Sequence, residues 1–198
     1  MTHPARLAIR PTTWSFFRQW LKNPRRNAAV AASSIELAAA MIAELPPGAR
    51  RVIELGGGTG AITRALLDAG IVDTDLFVLE LNEELQAHLS AQFPQVPVVL
   101  GDARSLPQLA TDTGYLAQGQ ADAIVSGLGL LTMPYDLQRG ILAAAFRCLQ
   151  PSGVFIQFTY GHTPPVADAV IHELGIQVRR GHFVLRNMPP ATVYVYSR

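Results

Sequence analysis

One cysteine in 198 residues rules out an internal disulfide. Cys148 falls in an apolar stretch with helical spacing, so it reads as a core residue rather than a nucleophile. Charge is also scarce: 16% of residues are charged against 49% hydrophobic. Even so, no run of about 18 uninterrupted apolar residues is present, which argues against a membrane-spanning helix. The first residues are interrupted by Pro4, Arg6, Arg10 and Pro11 and lack the long apolar centre of a secretory signal, so the cytoplasm is the expected compartment. No Cys/His cluster has metal-ligand spacing, and no metal is expected. The length suits one α/β domain with a short appendage, and leaves little room for a separate substrate domain.

The scarcest feature locally is negative charge. Residues 1–35 contain Arg6, Arg10, Arg18, Lys22, Arg25 and Arg26 and no Asp or Glu. Of the 16 basic residues those six fall here, so the remaining ten face all 15 acidic ones, and a +6 segment precedes a −5 body. An anionic partner for the N-terminus, membrane surface or nucleic acid, follows from that split; a solvated basic tail is the plain alternative.

Within that segment an ideal helix from Trp14 gathers Trp14, Phe16, Phe17, Trp20 and Leu21 within an arc of roughly 160°, with Ser15, Arg18, Gln19 and Lys22 opposite. Pro11 suits a first helical turn and Pro24 a stop, leaving a helix of roughly 18 Å, too short to span a bilayer but suited to lying in its interface. Trp14, Phe17 and Trp20 would enter the boundary while Arg18 and Lys22 face anionic headgroups. The same face packed over an active site is an equal alternative, and the two uses are compatible in a lid that is also an anchor.

From Ser33-x-x-Glu36, a capping-box spacing, a helix is expected through about Ala43, closed by Pro46-Pro47-Gly48. Beyond it the chain alternates. Strands are expected near 51–55, 75–80, 96–100, 121–126 and 153–160, with helices near 61–68, 83–92, 135–149 and 166–174. Such alternation builds a parallel sheet covered on both faces. The last two runs, near 176–186 and 191–196, are joined by Asn187-Met188-Pro189-Pro190, too short for a crossover helix, so they should form an antiparallel hairpin.

The chemistry centres on Val52–Thr63, VIELGGGTGAIT. Glycine at 56, 58 and 60 lets the backbone turn tightly and present N–H groups at a helix start. The same letters satisfy G-x-G-x-x-A, so a nicotinamide or flavin reading stays open, whereas a P-loop is excluded because no Gly-Lys-Ser/Thr follows. Three acids favour S-adenosylmethionine. Glu54, two residues before the first glycine, can meet a cationic amino group and would repel a pyrophosphate. Glu80, at the end of the second strand, can accept from ribose hydroxyls, and Asp102 after the third can bind the adenine amine. Alone, Glu80 is equally a helix N-terminal charge and Asp102 a turn residue.

With these features the chain resembles the bacterial phospholipid N-methyltransferases, relatives of the RNA adenine dimethyltransferases. The resemblance covers most of the chain. It rests on Phe17 and Trp20 before a proline, Ser33-Ser34, the Glu54–Gly60 loop, Gly101-Asp102-Ala103, Ser126-Gly127-Leu128, Gln157-Phe158-Thr159-Tyr160-Gly161 and Asn187-Met188-Pro189-Pro190-Ala191. The family pattern has proline where this chain has Ala32 and Gly129, departures that bear on the acceptor pocket.

The resemblance implies a Rossmann-like class I methyltransferase, an α/β fold with a mostly parallel seven-stranded sheet, helices on both faces and a C-terminal antiparallel hairpin. A basic amphipathic segment over 1–27 would precede a methyltransferase domain over 28–198. The expected cofactor residues are Glu54, Gly56, Gly58, Thr59, Gly60, Glu80, Leu81, Asp102, Ala103 and Ser126, with S-adenosylhomocysteine as product. The implied reaction is N-methylation of phosphatidylethanolamine towards phosphatidylcholine, at the inner face of the membrane. Ornithine lipid is an alternative acceptor, and RNA adenine a further one. Against RNA stand Ser126-Gly127-Leu128-Gly129, where that family carries an Asn-Pro-Pro-Tyr-like motif, and a mostly acidic body; no nucleic-acid partner is expected. Tyr160 is the candidate to orient the amine or the lipid phosphate, and His162 the candidate proton acceptor. Arg179, Arg180 and Arg186 read as solvated strand residues or as lipid-phosphate ligands.

Overall fold

A computed structural model describes residues 35–187 and 189–198. The Trp14–Lys22 helix, Ser33, Ser34 and Met188 lie outside the described residues. A helix over residues 35–42 (α1) leads in. It is followed by β1 (Val52–Leu55), α2 (Ala61–Asp68), β2 (Leu76–Glu80), α3 (Glu83–Gln92), β3 (Val98–Leu100) and α4 (Leu106–Asp112). The chain then forms β4 (Ala121–Ser126), α5 (Tyr135–Cys148), β5 (Leu149–Thr159), α6 (Asp168–Glu173), β6 (Gln177–Val184) and β7 (Ala191–Ser197).

The seven strands form one sheet in the order β3-β2-β1-β4-β5-β7-β6, parallel except for β7, which runs antiparallel to both neighbours. Buried on both faces, β1 and β2 alternate between two cores, as parallel strands under two helical layers must. Ile53, Leu55, Phe77, Leu79, Ile124 and Phe155 pack on one side. Val52, Val78, Val125, Ile156 and Val195 pack on the other.

The expected α/β architecture and terminal hairpin are therefore present, with α2 and α3 at their expected bounds. Two details differ. β5 begins at Leu149 rather than near Gly153, because Leu149 already pairs with Ala121 ahead of a register shift. The helix α4 falls in a stretch to which sequence reasoning assigns no element. It is only 7 residues long and opens through proline at its first turn, where the missing N–H costs nothing; periodicity has too few turns there to register.

Chain direction on the sheet locates the site. From β1 the chain winds outward through β2 and β3, then returns to the other side of β1 as β4. The crevice beyond the C-terminal ends of β1 and β4 is the switch point where such sheets take ligands.

Candidate active site

Glu54 is the third residue of β1, a strand buried throughout, and has no exposed surface. Its Oε2 accepts a 2.6 Å hydrogen bond from the Thr63 hydroxyl on α2. Oε1 has no partner among the described residues. Burial pushes the carboxyl up to about 8, with the nearby Glu80 charge adding to the shift and the Thr63 bond opposing it. A buried, half-satisfied acid beside a glycine turn is costly unless a cation completes it, and the amino group of S-adenosylmethionine is such a cation.

The turn Gly56–Gly60 then crosses the sheet edge. Gly56 holds φ +75°, open to glycine at little cost, and its N–H donates to the Leu79 carbonyl at 2.7 Å. At the far end Gly60 caps α2 with no side-chain hydrogen bond, and no acid stands in that helix's first turn. The first N–H groups of α2 are thus left for an incoming carboxylate. Thr59 is exposed at the crest of the turn.

Glu80 at the end of β2 is nearly buried. Its Oε2 accepts the Gly58 N–H at 3.0 Å and its Oε1 accepts the Asn82 N–H at 2.9 Å. This carboxylate therefore fastens the glycine turn to β2, and each oxygen retains acceptor capacity for a ribose hydroxyl. Leu81 beside it holds its apolar side chain in solvent, 71% exposed. Asp102 caps a short turn over Ala103–Ser105 and is gripped by Arg104: Oδ2 accepts from Nη2 at 2.6 Å and Oδ1 from Nε at 3.0 Å. That guanidinium holds the Asp102 carboxyl below its ordinary range, an engagement that spacing alone does not reveal.

Ser126 ends β4 in register with both Leu55 and Gln157. It is buried, and its hydroxyl oxygen accepts the Leu128 N–H at 3.3 Å. Gly127 follows with its N–H on the Leu55 carbonyl at 2.8 Å. The loop after β4 therefore lies directly on the glycine turn.

Two buried glutamines, Gln157 on β5 and Gln138 on α5, fix that loop from its other side. Gln157 Nε2 donates to the Leu128 carbonyl at 2.8 Å, while its Oε1 has no partner among the described residues. Gln138 Nε2 donates to the carbonyls of Leu130 and Met133, and its Oε1 accepts the Ala167 N–H at 2.8 Å. Sequence reasoning missed Gln138. Its signal is an amide in the row Gln138, Ile141, Leu142, Ala145 that α5 buries.

Tyr160 and His162 follow β5 at the same edge of the sheet. The Tyr160 ring packs against Phe158 with centroids 5.3 Å apart and is 56% exposed, with no hydroxyl partner among the described residues. His162 directs its ring towards Phe183, 6.5 Å between centroids. Its carbonyl accepts the Tyr194 hydroxyl at 2.6 Å, a tether from β7 that motif spacing did not show.

The expected cofactor residues thus come together around the ends of β1, β2, β3 and β4, and the two candidate catalytic residues stand beside them after β5. Residues 52–153 match a family model described as a methyltransferase domain. The ornithine lipid N-methyltransferase of Singulisphaera acidiphila is 34% identical over 185 residues, covering 90% of this chain and 92% of that protein. Among solved structures, a glycopeptide N-methyltransferase, MtfA, complexed with S-adenosyl-L-methionine superposes with a TM-score of 0.61 at 16% identity, over 83% of this chain and 93% of that one. A TehB-like S-adenosylmethionine-dependent methyltransferase from Corynebacterium glutamicum has a TM-score of 0.61 at 18% identity, over 94% and 100%.

Proposed function

Because the chain belongs to the class I S-adenosylmethionine-dependent methyltransferases, we propose that it N-methylates the primary amine of a membrane lipid, with ornithine lipid as the acceptor. The observation that carries this is the 34% identity to an ornithine lipid N-methyltransferase along nearly the full length of both chains. The sequence motifs alone favour phosphatidylethanolamine over ornithine lipid; that likeness reverses the order. Both lipids carry a primary amine near an anionic group, so the same site chemistry serves either, and phosphatidylethanolamine is the second reading.

The cofactor, when bound, supplies an electrophilic methyl group on a sulfonium. Glu54 would take its amino group, the N–H groups opening α2 its carboxylate, Glu80 the ribose hydroxyls and Asp102 the adenine amine. What remains is to bring an amine lone pair into line with the methyl, and positioning supplies much of the rate. The amine must be neutral first. A lipid ammonium with a pKa near that of lysine, about 10, loses its proton more readily when desolvated beside a positive charge. Tyr160 would hold the amine or the anionic group of the lipid, and His162 would accept the proton. A basic amphipathic N-terminal helix, with Trp14, Phe17 and Trp20 in the lipid boundary and Arg18 and Lys22 over the headgroups, would keep the enzyme on the cytoplasmic face of the membrane.

The deciding experiment incubates the protein with methyl-labelled S-adenosylmethionine and vesicles carrying ornithine lipid, phosphatidylethanolamine or neither, then separates the products. Label in ornithine lipid supports the proposal. Label confined to phosphatidylethanolamine exchanges the acceptor, and label in added RNA but in no lipid overturns the reading.

A further inference from the structure

Negative charge vanishes a second time at the other end of the chain. From Leu174 to Arg198 there is no Asp or Glu, but there are Arg179, Arg180, Arg186 and Arg198. Arg179 is accounted for: its Nη1 lies 2.7 Å from Oε2 of the nearly buried Glu44, whose Oε1 accepts the His182 N–H at 2.9 Å. Arg180 and Arg186 have no carboxylate partner among the described residues.

The strand pairing puts these groups at the mouth of the site. Because β7 runs antiparallel to both β5 and β6, the C-terminal end of β6 reaches the same edge of the sheet as the C-terminal end of β5. Thr192 pairs with Thr159 on one side and Phe183 on the other, so Phe183 stands two strand spacings, about 10 Å, from the residue preceding Tyr160.

Around that end the surface is apolar and cationic together. Phe183 is 45% exposed and Leu185 71%. The Arg180 guanidinium lies 5.8 Å over the Phe183 ring, and Arg186 follows Leu185 at the turn. Aromatic and aliphatic groups next to unpaired arginines match the boundary of an anionic bilayer, where apolar groups enter the acyl region and each nearby cation adds attraction.

We propose that the β6 end of the terminal hairpin, through Arg180, Phe183, Leu185 and Arg186, is a docking surface for an anionic lipid bilayer that seats the mouth of the active site on the membrane. It rests on the lipid-acceptor reading for its purpose but not for its chemistry. Charge decides against the chain's own N-terminal segment as the occupant: residues 1–34 carry six cations and no acid, so they repel Arg180 and Arg186 and seek the same partner.

The test uses the full chain and vesicles of phosphatidylglycerol and phosphatidylcholine in equal parts. The double variant Arg180→Gln/Arg186→Gln should partition onto them about tenfold to thirtyfold less strongly than the wild type. The difference should shrink as salt screens the surface. Phe183→Ser/Leu185→Ser should also weaken partitioning, but with little salt dependence.

Because Cys148 is buried, a Leu185→Cys variant offers a thiol for a polarity-sensitive dye, whose emission should shift to the blue with these vesicles and not with phosphatidylcholine alone. In Arg180→Gln/Arg186→Gln, methylation of an amine lipid in the anionic vesicles should fall with binding, while methylation of the same lipid in nonionic micelles and the affinity for S-adenosylmethionine hold. Wild-type vesicle binding by both double variants overturns the proposal. So does a dye already shifted in the absence of vesicles, which places the chain's own segment on this surface, and so does equal competition for the surface by RNA and vesicles. Lost vesicle binding in a protein that methylates no lipid supports the surface and removes only the acceptor reading.

Discussion

A side-chain carbon on Gly127 would sit 2.8 Å from the carbonyl oxygen of Gly56. The loop that ends β4 and the turn that ends β1 therefore touch backbone to backbone, with the Gly127 N–H on the Leu55 carbonyl closing the contact. The glycine turn and the loop after β4 meet at this one backbone contact, so a change at Gly127 itself should appear in both binding and turnover.

The variant Gly127→Ala tests that coupling. A Cβ at that distance cannot be absorbed by rotating a side chain, because the opposing atom is backbone. We expect a stability loss of about 1–3 kcal/mol, with weaker S-adenosylmethionine binding and slower methyl transfer, read by thermal melting, calorimetry and initial rates. Gly161→Ala is the control: its nearest contact is an ordinary 3.6 Å to Thr159 Oγ1, and its stability should stay near that of the wild type.

The sheet was legible in the sequence because its strands are short apolar runs ending in acids and glycines: Glu54, Glu80 and Asp102 each mark a strand end, and helices of two turns or more lie between. The close approach of Gly127 to Gly56 was not, because it joins residues from strands separated in sequence by three helices and two further strands. The acids were found, but not their state. Nothing in the spacing tells that Glu80 already holds the Gly58 N–H, that Asp102 is clasped by Arg104, or that Glu54 is buried with one oxygen idle. Gln138 and Tyr194 were hidden for a related reason: a polar group in a core helix or strand looks like a surface residue until burial shows which face it takes.

Gln157 is expected to act on turnover more than on cofactor binding. Its amide holds the Leu128 carbonyl from β5, and Gln157→Leu leaves that carbonyl without this donor at a cost of about 1–3 kcal/mol. The loop after β4 should then sample more positions. We expect kcat to fall about tenfold with the dissociation constant for S-adenosylmethionine changed little, a split that single-turnover rates and calorimetry resolve. An equal loss in binding would place Gln157 in the cofactor site instead.

Tyr160 and His162 separate by their chemistry. Tyr160→Phe keeps the ring packed on Phe158 and removes only the hydroxyl, which has no partner among the described residues, so stability should hold. If the hydroxyl positions the acceptor, KM for the lipid should rise and kcat fall, together about tenfold or more in kcat/KM. His162→Ala should leave the Tyr194 tether intact, because that bond goes to the His162 carbonyl, and should lower kcat about tenfold or more with KM changed little if the imidazole accepts the proton. Wild-type kinetics in both variants would remove these residues from the mechanism.

Glu54 should make both stability and cofactor binding depend on pH, in opposite senses. Its folded-state value of about 8 lies above its ordinary 4.5. Between those two values the unfolded chain has released a proton that the folded chain retains, so this residue makes the cofactor-free protein less stable as pH rises through that window. The limiting slope is about 1.4 kcal/mol per pH unit. The effect is absent below the ordinary value and levels off above the folded one. Glu54→Gln keeps an acceptor for Thr63 and removes the titration, so denaturation profiles of the two proteins should converge near pH 4.5 and separate towards pH 8, the variant being the more stable. Cofactor binding runs the other way. The methionine ammonium needs the carboxylate form, so wild-type affinity should rise as pH approaches 8 and binding should release a proton, seen as a dependence of the calorimetric heat on buffer ionisation. Glu54→Gln should bind at least tenfold more weakly at pH 8 and release no proton. Equal proton release in both proteins would mean that the cofactor's amino group is held elsewhere.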